Sequence, residues 1–570
     1  MTSHKKIRFF IIQLSGLSDV LQSLMALKAI KQLYPEIEIH LLVRECFSDT
    51  VKRIKWIEKS VFLPAHHNLE TQSIHDFAEW IAPLTQTAWD FVVNWTYSES
   101  SSYLAALIPG YIKIGYTRQK NGQLFSPEGW SHYIQAVVQR GEEKNKIEQN
   151  IHITDILTTQ VLTALQIHVG EPTNPGATAV TGKDFFEFKI DENKIGLSPK
   201  DYSKKWICVE PLSKPSQWEL HNWERLVSLI KKDHPECLIF ILGDEKIGND
   251  FDTRAFLISK SHWVISESLA TLHLACVFGT RSLYLSHGKK YWRENGPYGN
   301  GHYVLHADQA ENLTVESVYL LWAYGYQEWA HQRHVSLKEF SLKIGLSEEF
   351  SAVQPYRTKI RTIQDGGGVY YEPLLLSPVG IQAWLSQVMG HIARSWYCGW
   401  APQIGQELHR QNLNPDLIKF LRELEESVEV LRKIFEEAKN ASLAMSVKYA
   451  QLPSEKLMEI SDRDEIQALG NKLKDLDELA ARLGQTHLPL LAFSHMKKVL
   501  MHNIRGQDLK TQGQEGAEIY EQLLLGLGIL KDWVVFSLRL SKPMVVQNIS
   551  QETPIISITT KKRILNPDLL

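Results

Sequence analysis

Cysteine is scarce. Five occur in 570 residues, at Cys46, Cys208, Cys237, Cys276 and Cys398, each standing alone. None forms the close pairs that zinc sites or redox motifs need, and an odd, sparse count suits a reducing compartment. An excess of one charge is missing too. Lys and Arg number 62 against 65 Asp and Glu, a net −3, so no bulk basic field exists to hold nucleic acid. Long apolar runs are absent. The nearest case, Pro373 to Ala393, has no Asp, Glu, Lys or Arg, yet it contains Pro373, Pro378, Gln382, Gln387 and His391. It is expected to lie buried in protein, with interfacial membrane contact as the alternative. The apolar run after Lys6 is followed by no small-residue cleavage site, so a first strand is expected there rather than a signal peptide. No G-x-G-x-x-G follows any expected strand, which disfavours a pair of dinucleotide-binding oxidoreductase domains. What remains is a cytoplasmic, multidomain protein, because 570 residues exceed the ~100–200 of an ordinary domain.

The chain alternates short apolar runs with amphipathic segments, the pattern of βαβ units and parallel sheets. Ile7 to Leu14 reads as a buried strand, and Val20, Leu21, Leu24, Leu27, Ile30, Lys31 and Tyr34 then recur at helical spacing up to Pro35. Strands are expected again at Ile37–Val43, Phe91–Val93 and Ile112–Gly115. Gly, Pro, Asn and Thr collect around Val169 to Lys183, where an interdomain connection is placed. A second alternation runs through Trp206–Val209, a helix from Trp223, Cys237–Leu242, His262–Ser266, a helix through His273, and Ser282–Leu285. The expected organisation is 1–185 and 186–330 as two Rossmann-like domains, 331–410 as a mixed, Trp- and Tyr-rich connecting region, and 411–570 as a helical domain. In the last, Leu417, Leu421, Leu424, Val428, Leu431, Phe435 and Ala438 follow a 3.5-residue period, a coiled-coil seam. Ile466 to Leu483 is expected to fold back on it, ending at Gly484 as a C-cap.

Three strand-to-helix turns carry candidate chemistry. The first is Ser15-Gly16-Leu17-Ser18-Asp19. The second is Glu210-Pro211-Leu212-Ser213-Lys214, with Trp218 and Trp223 beyond it. The third is Ser266-Glu267-Ser268-Leu269-Ala270-Thr271-Leu272-His273-Leu274-Ala275, with Gly279 after it. Together, over about residues 7–310, these resemble glycosyltransferase family 9, the ADP-heptose:lipopolysaccharide heptosyltransferases. The family's first turn reads roughly R-x-S-x-L-G-D, its second loop keeps a lysine before a tryptophan pair, and its third reads V-S-N-D-S-G-P-M-H-L-A-A-A-L-G. Departures occur. Gly16 and Ser18 stand in exchanged order, the lysine register falls on Ser216 with Lys214 as the nearest substitute, and Ser268 and Ala270 replace the donor-loop aspartate and glycine.

The resemblance implies two Rossmann-like lobes of the kind called GT-B and an inverting, metal-independent transfer from a nucleotide diphosphate sugar of the ADP-heptose type. No cofactor is implied, and the acceptor would be a glycan or a protein. It implies Asp19 as catalytic base, Ser15, Gly16 and Ser18 as the acceptor-side loop, and Lys214, Ser268, Thr271, His273 and Glu267 as the donor side. Bacterial lipopolysaccharide biosynthesis, in the cytoplasm or peripherally on the inner membrane, is the implied setting. Read without the family, Asp19 is a helix cap, Lys214 a solvated loop lysine and His273 a packed helix histidine. Serine and threonine at a helix N-terminus do suit a diphosphate, whose charge the free N–H groups favour. The Asp-x-Asp pairs Asp462/Asp464 and Asp475/Asp477 are set aside, because helical side chains two apart diverge. Gly296-Pro297-Tyr298-Gly299, with Lys289, Lys290 and Arg293 before it, is a weaker match to the family's later G-P turn. The helices at 411–484 are expected to bind a protein partner or self-associate. An inactive relative that scaffolds an assembly through these helices is the rival reading.

Overall fold

A computed structural model describes residues 6–64, 74–119, 122–125, 151–169, 185–187, 195, 197–211, 218–244, 250–288, 292–331, 336–343, 350, 352–361, 368–375, 381, 384–385, 388–390, 392, 413–451, 460–504, 506 and 508–540. The chain forms two units. Met1–Thr96, Leu107–Ile112 and Ile151–Leu376 make up one, and Tyr97–Ala106, Lys113–Asn150 and Ser377–Leu570 the other.

The first unit is built on two sheets. Strands β1 (Arg8–Ile12), β2 (Glu38–Arg44), β3 (Lys59–Leu63), β4 (Trp89–Asn94) and β5 (Gly110–Gly115) lie in the order β3-β2-β1-β4-β5. β1 runs parallel to both β2 and β4, so it is covered on both edges, and Phe9 to Ile12 are buried. That is why its sequence is a nearly unbroken apolar run. Phe9 pairs with Phe91 across the ladder, and their rings stack at 4.4 Å. A short antiparallel pair, β6 (Thr117–Arg118) and β7 (Leu124–Phe125), belongs to the second unit.

The second sheet has seven strands. They are β8 (Lys205–Glu210), β9 (Cys237–Ile241), β10 (Trp263–Ser266), β11 (Arg281–His287), β12 (Tyr303–Ala307), β13 (Val353–Arg361) and β14 (Gly368–Pro373). Their order is β14-β13-β12-β11-β10-β8-β9. The five strands from β9 to β12 are parallel, while β13 and β14 add antiparallel to the edge. The stretch 331–410, expected as a connecting region, therefore supplies two strands to this sheet. Its Tyr356, Tyr370 and Tyr371 are buried there, so aromatic richness marked sheet core rather than linker. Helices Leu220–Asp233 and Val315–His331 pack on each other over one face, around Trp218, Trp223, Trp263 and Trp322. Gly325 is required there: a Cβ on it would meet the Trp263 ring at 2.6 Å. The connection placed from Val169 to Lys183 lies outside the described residues beyond Val169 itself.

In the second unit, helix Pro415–Ala450 starts at Asn414, whose side chain accepts the Asp416 N–H at 2.8 Å, with Pro415 in the first turn. All seven seam residues are completely buried. Their main partner is helix Leu509–Leu540, and helix Ile460–Thr486 packs beside them as well. Gly484 does not cap that helix, which runs on to Thr486. Its missing side chain instead admits the Leu491 backbone and Ser494 hydroxyl, each 3.1 Å from where a Cβ would stand. Of the Asp-x-Asp pairs, Asp462 pairs with Lys448, and Asp477 with Lys497 and the Tyr520 hydroxyl. No described helix is long and apolar enough to cross a membrane.

Candidate functional site

In open α/β sheets, ligands gather beyond the carboxyl ends of the strands, where the strand order reverses. The first sheet reverses between β1 and β4, and the second between β8 and β10. The sequence-predicted turns follow β1, β8 and β10.

After β1 the chain turns through Ser15 and Gly16 into helix Leu17–Leu33. Gln13 is buried and fixes this turn, its side chain accepting the Ser15 N–H at 3.2 Å and donating to Ser23 at 2.8 Å. Asp19 Oδ2 accepts the Gly16 N–H at 3.0 Å, so the carboxylate does cap the helix. It is nevertheless half-buried. Desolvation outweighs the Gly16 hydrogen bond and raises the Asp19 pKa. A carboxylate that binds protons more readily than usual is a better general base.

Beyond β8 and β10 lies a connected polar network. Glu210, the last residue of β8, pairs with Arg254 through one oxygen and accepts the Ser266 hydroxyl at 2.7 Å through the other. Ser266 accepts the Ser268 N–H at 2.8 Å, and Arg254 donates to Thr271 at 2.9 Å. Ser268 caps helix Leu269–Phe278 by accepting the Thr271 N–H at 3.4 Å. Arg254 thus sits against that helix's first turn. Its own helix, Phe251–Lys260, is started by Asp250, which accepts the Thr253 N–H at 2.9 Å. Glu267 pairs with His287 Nε2 at 3.3 Å, both almost without exposure.

His273 and Ser18 meet each other, and His273 is 0% exposed. Its Nδ1 meets the Ser18 hydroxyl at 2.9 Å, and its Nε2 donates to the Asn295 carbonyl at 2.8 Å. Burial pushes its pKa down to about 4, with His152 as a second cause, so the ring is neutral. The helix starts of the two sheets therefore touch through Ser18 and His273, and Asp19 is the next residue along. Arg53 with Asp252, at 2.7 Å, makes a second junction between the sheets' loops.

The third junction was invisible in sequence. His152 Nε2 donates to the Gly296 carbonyl at 2.9 Å, and burial pushes its pKa down to about 4. Asp155 accepts the Tyr298 hydroxyl and the Val369 N–H, each at 2.9 Å. The Gly296-Pro297-Tyr298 motif is thus a junction piece between lobes. Arg293 lies over the Trp292 ring and donates to Tyr356 at 3.1 Å. Lys214, Lys289 and Lys290 lie outside the described residues. Glu210, Arg254, His152 and Asp155 were missed. The Asp250-x-x-Thr253 cap could have flagged the Arg254 helix, and Glu210 opened the second candidate turn without being singled out, but nothing local marked His152 or Asp155. Among the described residues, no group of three or more His, Cys, Asp or Glu side chains could hold a metal ion.

No protein-family model matches the chain, and no curated protein matches it either. Among solved structures it is similar to the E. coli heptosyltransferase WaaC with ADP, at 16% identity and a TM-score of 0.42, covering 56% of this chain and 100% of that one. The glycosyl transferase family 9 protein from Veillonella parvula gives 14% identity and 0.42, over 57% and 99%. The E. coli ADP-heptose LPS heptosyltransferase II gives 12% and 0.38, over 57% and 100%. The C-terminal part of the chain has no counterpart in these matches.

Proposed function

We propose that this chain is a glycosyltransferase moving a heptose-like sugar from a nucleotide diphosphate to a glycan or protein acceptor, with inversion at the anomeric carbon. One observation carries the reading. Asp19 follows β1 at the first sheet's reversal point and adjoins Ser18, whose hydroxyl meets His273 of the second sheet at 2.9 Å. A basic carboxylate thus stands beside the junction of two ligand-gathering edges.

In the proposed step, the acceptor hydroxyl gives its proton to Asp19 as its oxygen bonds to the anomeric carbon. The bond from that carbon to the diphosphate oxygen breaks, and the nucleoside diphosphate leaves with the electron pair. Arg254 (which donates to Thr271), Ser268 and the first turn of helix Leu269–Phe278 would offset its charge; Lys214, outside the described residues, stays the proposed further cation. Thr271 and His273, buried and internally bonded, position the helix and the lobes rather than touch the donor. Glu267 is held by His287.

That internal bonding also supports the second reading, an inactive scaffold, because several expected donor contacts are already satisfied within the protein. For a scaffold, the helical seam is not the free surface, since this chain's own helices cover it. Calorimetric titration with ADP- and UDP-sugars decides between the two. Saturable heat with one of them, lost in Arg254→Met, is expected. No heat with any would leave the scaffold.

A further inference from the structure

At the opposite end of the second sheet, a cavity of about 550 Å³ is lined by Arg281, Asn300, Tyr303, Trp329, Arg357 and Lys359, among others. Arg281 opens β11 and His287 closes it, so the cavity lies about 20 Å from the carboxyl-terminal edge at ~3.3 Å per residue. Its volume falls within the range of small-molecule sites, roughly 300–1,000 Å³.

Charge does not balance there. Among the described residues, Glu328 is the one carboxylate in the lining, against Arg281, Arg357 and Lys359. Glu328 is already engaged, accepting from Arg357 at 2.5 Å and from the Tyr303 hydroxyl. Arg357 gives a second nitrogen to Glu372 at 3.0 Å. Arg281 is left over: among the described residues it forms no ion pair or hydrogen bond, although it is half-buried. Its guanidinium carbon and two terminal nitrogens stand 3.8, 3.9 and 4.0 Å from where a Cβ on Gly301 would be, so the fork lies flat over that residue. Asn300 accepts the Ile360 N–H at 2.6 Å through its oxygen, which leaves its amide donors for another acceptor. The Trp329 ring borders the cavity, tilted against His262 at a centroid distance of 4.9 Å.

We propose that this cavity binds a small-molecule oxyanion, a phosphate or carboxylate group, against Arg281, with Lys359 and Asn300 as further donors and Trp329 bordering the rest of the ligand. Glu328 attracts Arg281 without touching it, while Arg357 repels it. A guanidinium partly removed from water with no direct partner is unfavourable, and its planar fork matches an oxyanion through two hydrogen bonds. The bound anion supplies the missing charge.

Titration calorimetry of the full chain with inorganic phosphate and, separately, with citrate tests this at constant ionic strength and distinguishes the two oxyanion classes. Saturable binding of one of them is expected, at least tenfold weaker in Arg281→Met, about threefold weaker in Lys359→Gln, and unchanged in Arg254→Met at the proposed transfer site. Binding that survives Arg281→Met, that is lost instead in Arg254→Met, or that is absent with both anions overturns the proposal. In anion-free buffer Arg281→Met should melt no lower than wild type, because it removes a half-buried charge that forms no ion pair or hydrogen bond among the described residues and that Arg357 repels. A clear drop would make Arg281 structural and sink the idea. Should that variant not fold, Arg281→Lys and Lys359→Gln take its place, and undiminished binding in both has the same meaning.

Discussion

Asp19 carries two roles that a single residue can separate. As a cap it needs only an acceptor for the Gly16 N–H, whereas as a base it needs a carboxylate. Asp19→Asn keeps the acceptor and removes a charge that burial disfavours, so its melting temperature should match or exceed wild type. Asp19→Ala loses the cap and should cost about 1 kcal/mol. Transfer should fall by about 10²–10⁴ in both variants. Full activity in Asp19→Asn would reduce the residue to a cap. Sequence placed Asp19 at a helix start correctly, because a strand, a turn and a cap are local. For His273 it left packing and donor contact both open, and could not supply its partner Ser18, 255 residues away. A histidine in a helix carries no sign of which distant surface it meets.

Among the helices of the second unit, the seam was fully legible, since a 3.5-residue period requires a covered face whatever covers it. The identity of the cover was not. Helix Ile466–Leu483 looked like the natural neighbour by proximity, yet Leu509–Leu540 takes most of the contact. The close approach of that pair is set by small residues. Ser442 donates to the Gly513 carbonyl at 2.8 Å, Ser446 to that of Lys510 at 2.7 Å, and a Cβ on Gly513 would stand 2.7 Å from the Ser442 carbonyl. Gly513→Ala must therefore push the helices apart, which overpacking data put at roughly 1–3 kcal/mol. Denaturant melts of the variant should show it, despite alanine's better helix propensity. The Trp218 and Trp223 pair teaches the same lesson in the first unit. It was quoted for its motif value, but both rings are core, crossing edge to face at 4.7 Å, and Trp218 donates to the Leu313 carbonyl at 2.6 Å.

Across the whole first unit, the order of βαβ pieces was readable from alternating periodicity, and both sheets follow from it. What escaped was the third dimension of their joining, made by His152, Asp155 and Tyr298 together with Ser18 and His273. Those histidines give the unit an acid sensitivity. Burial pushes His152 and His273 down to about 4 and His302 to about 3, whereas an unfolded histidine titrates near 6.5. The unfolded chain takes up protons first, so their contribution is complete above pH 6.5 and is lost as pH falls toward 4 and below. Each of the first two accounts for at most roughly 3 kcal/mol. Thermal melts between pH 7 and pH 4.5 should show a falling midpoint, and His302→Gln should flatten the fall. An equal slope in that variant would put the sensitivity elsewhere.

Helix Ile153–Val169 leans on helix Leu17–Leu33 of the first sheet, while Asp155 in its opening turn is fastened to Tyr298 and to β14 of the second. It is common property of both halves. Neither lobe could be exchanged by recombination at residue 150 without stripping the other of a wall, so workable crossover points for building chimaeras begin only after this helix has been copied.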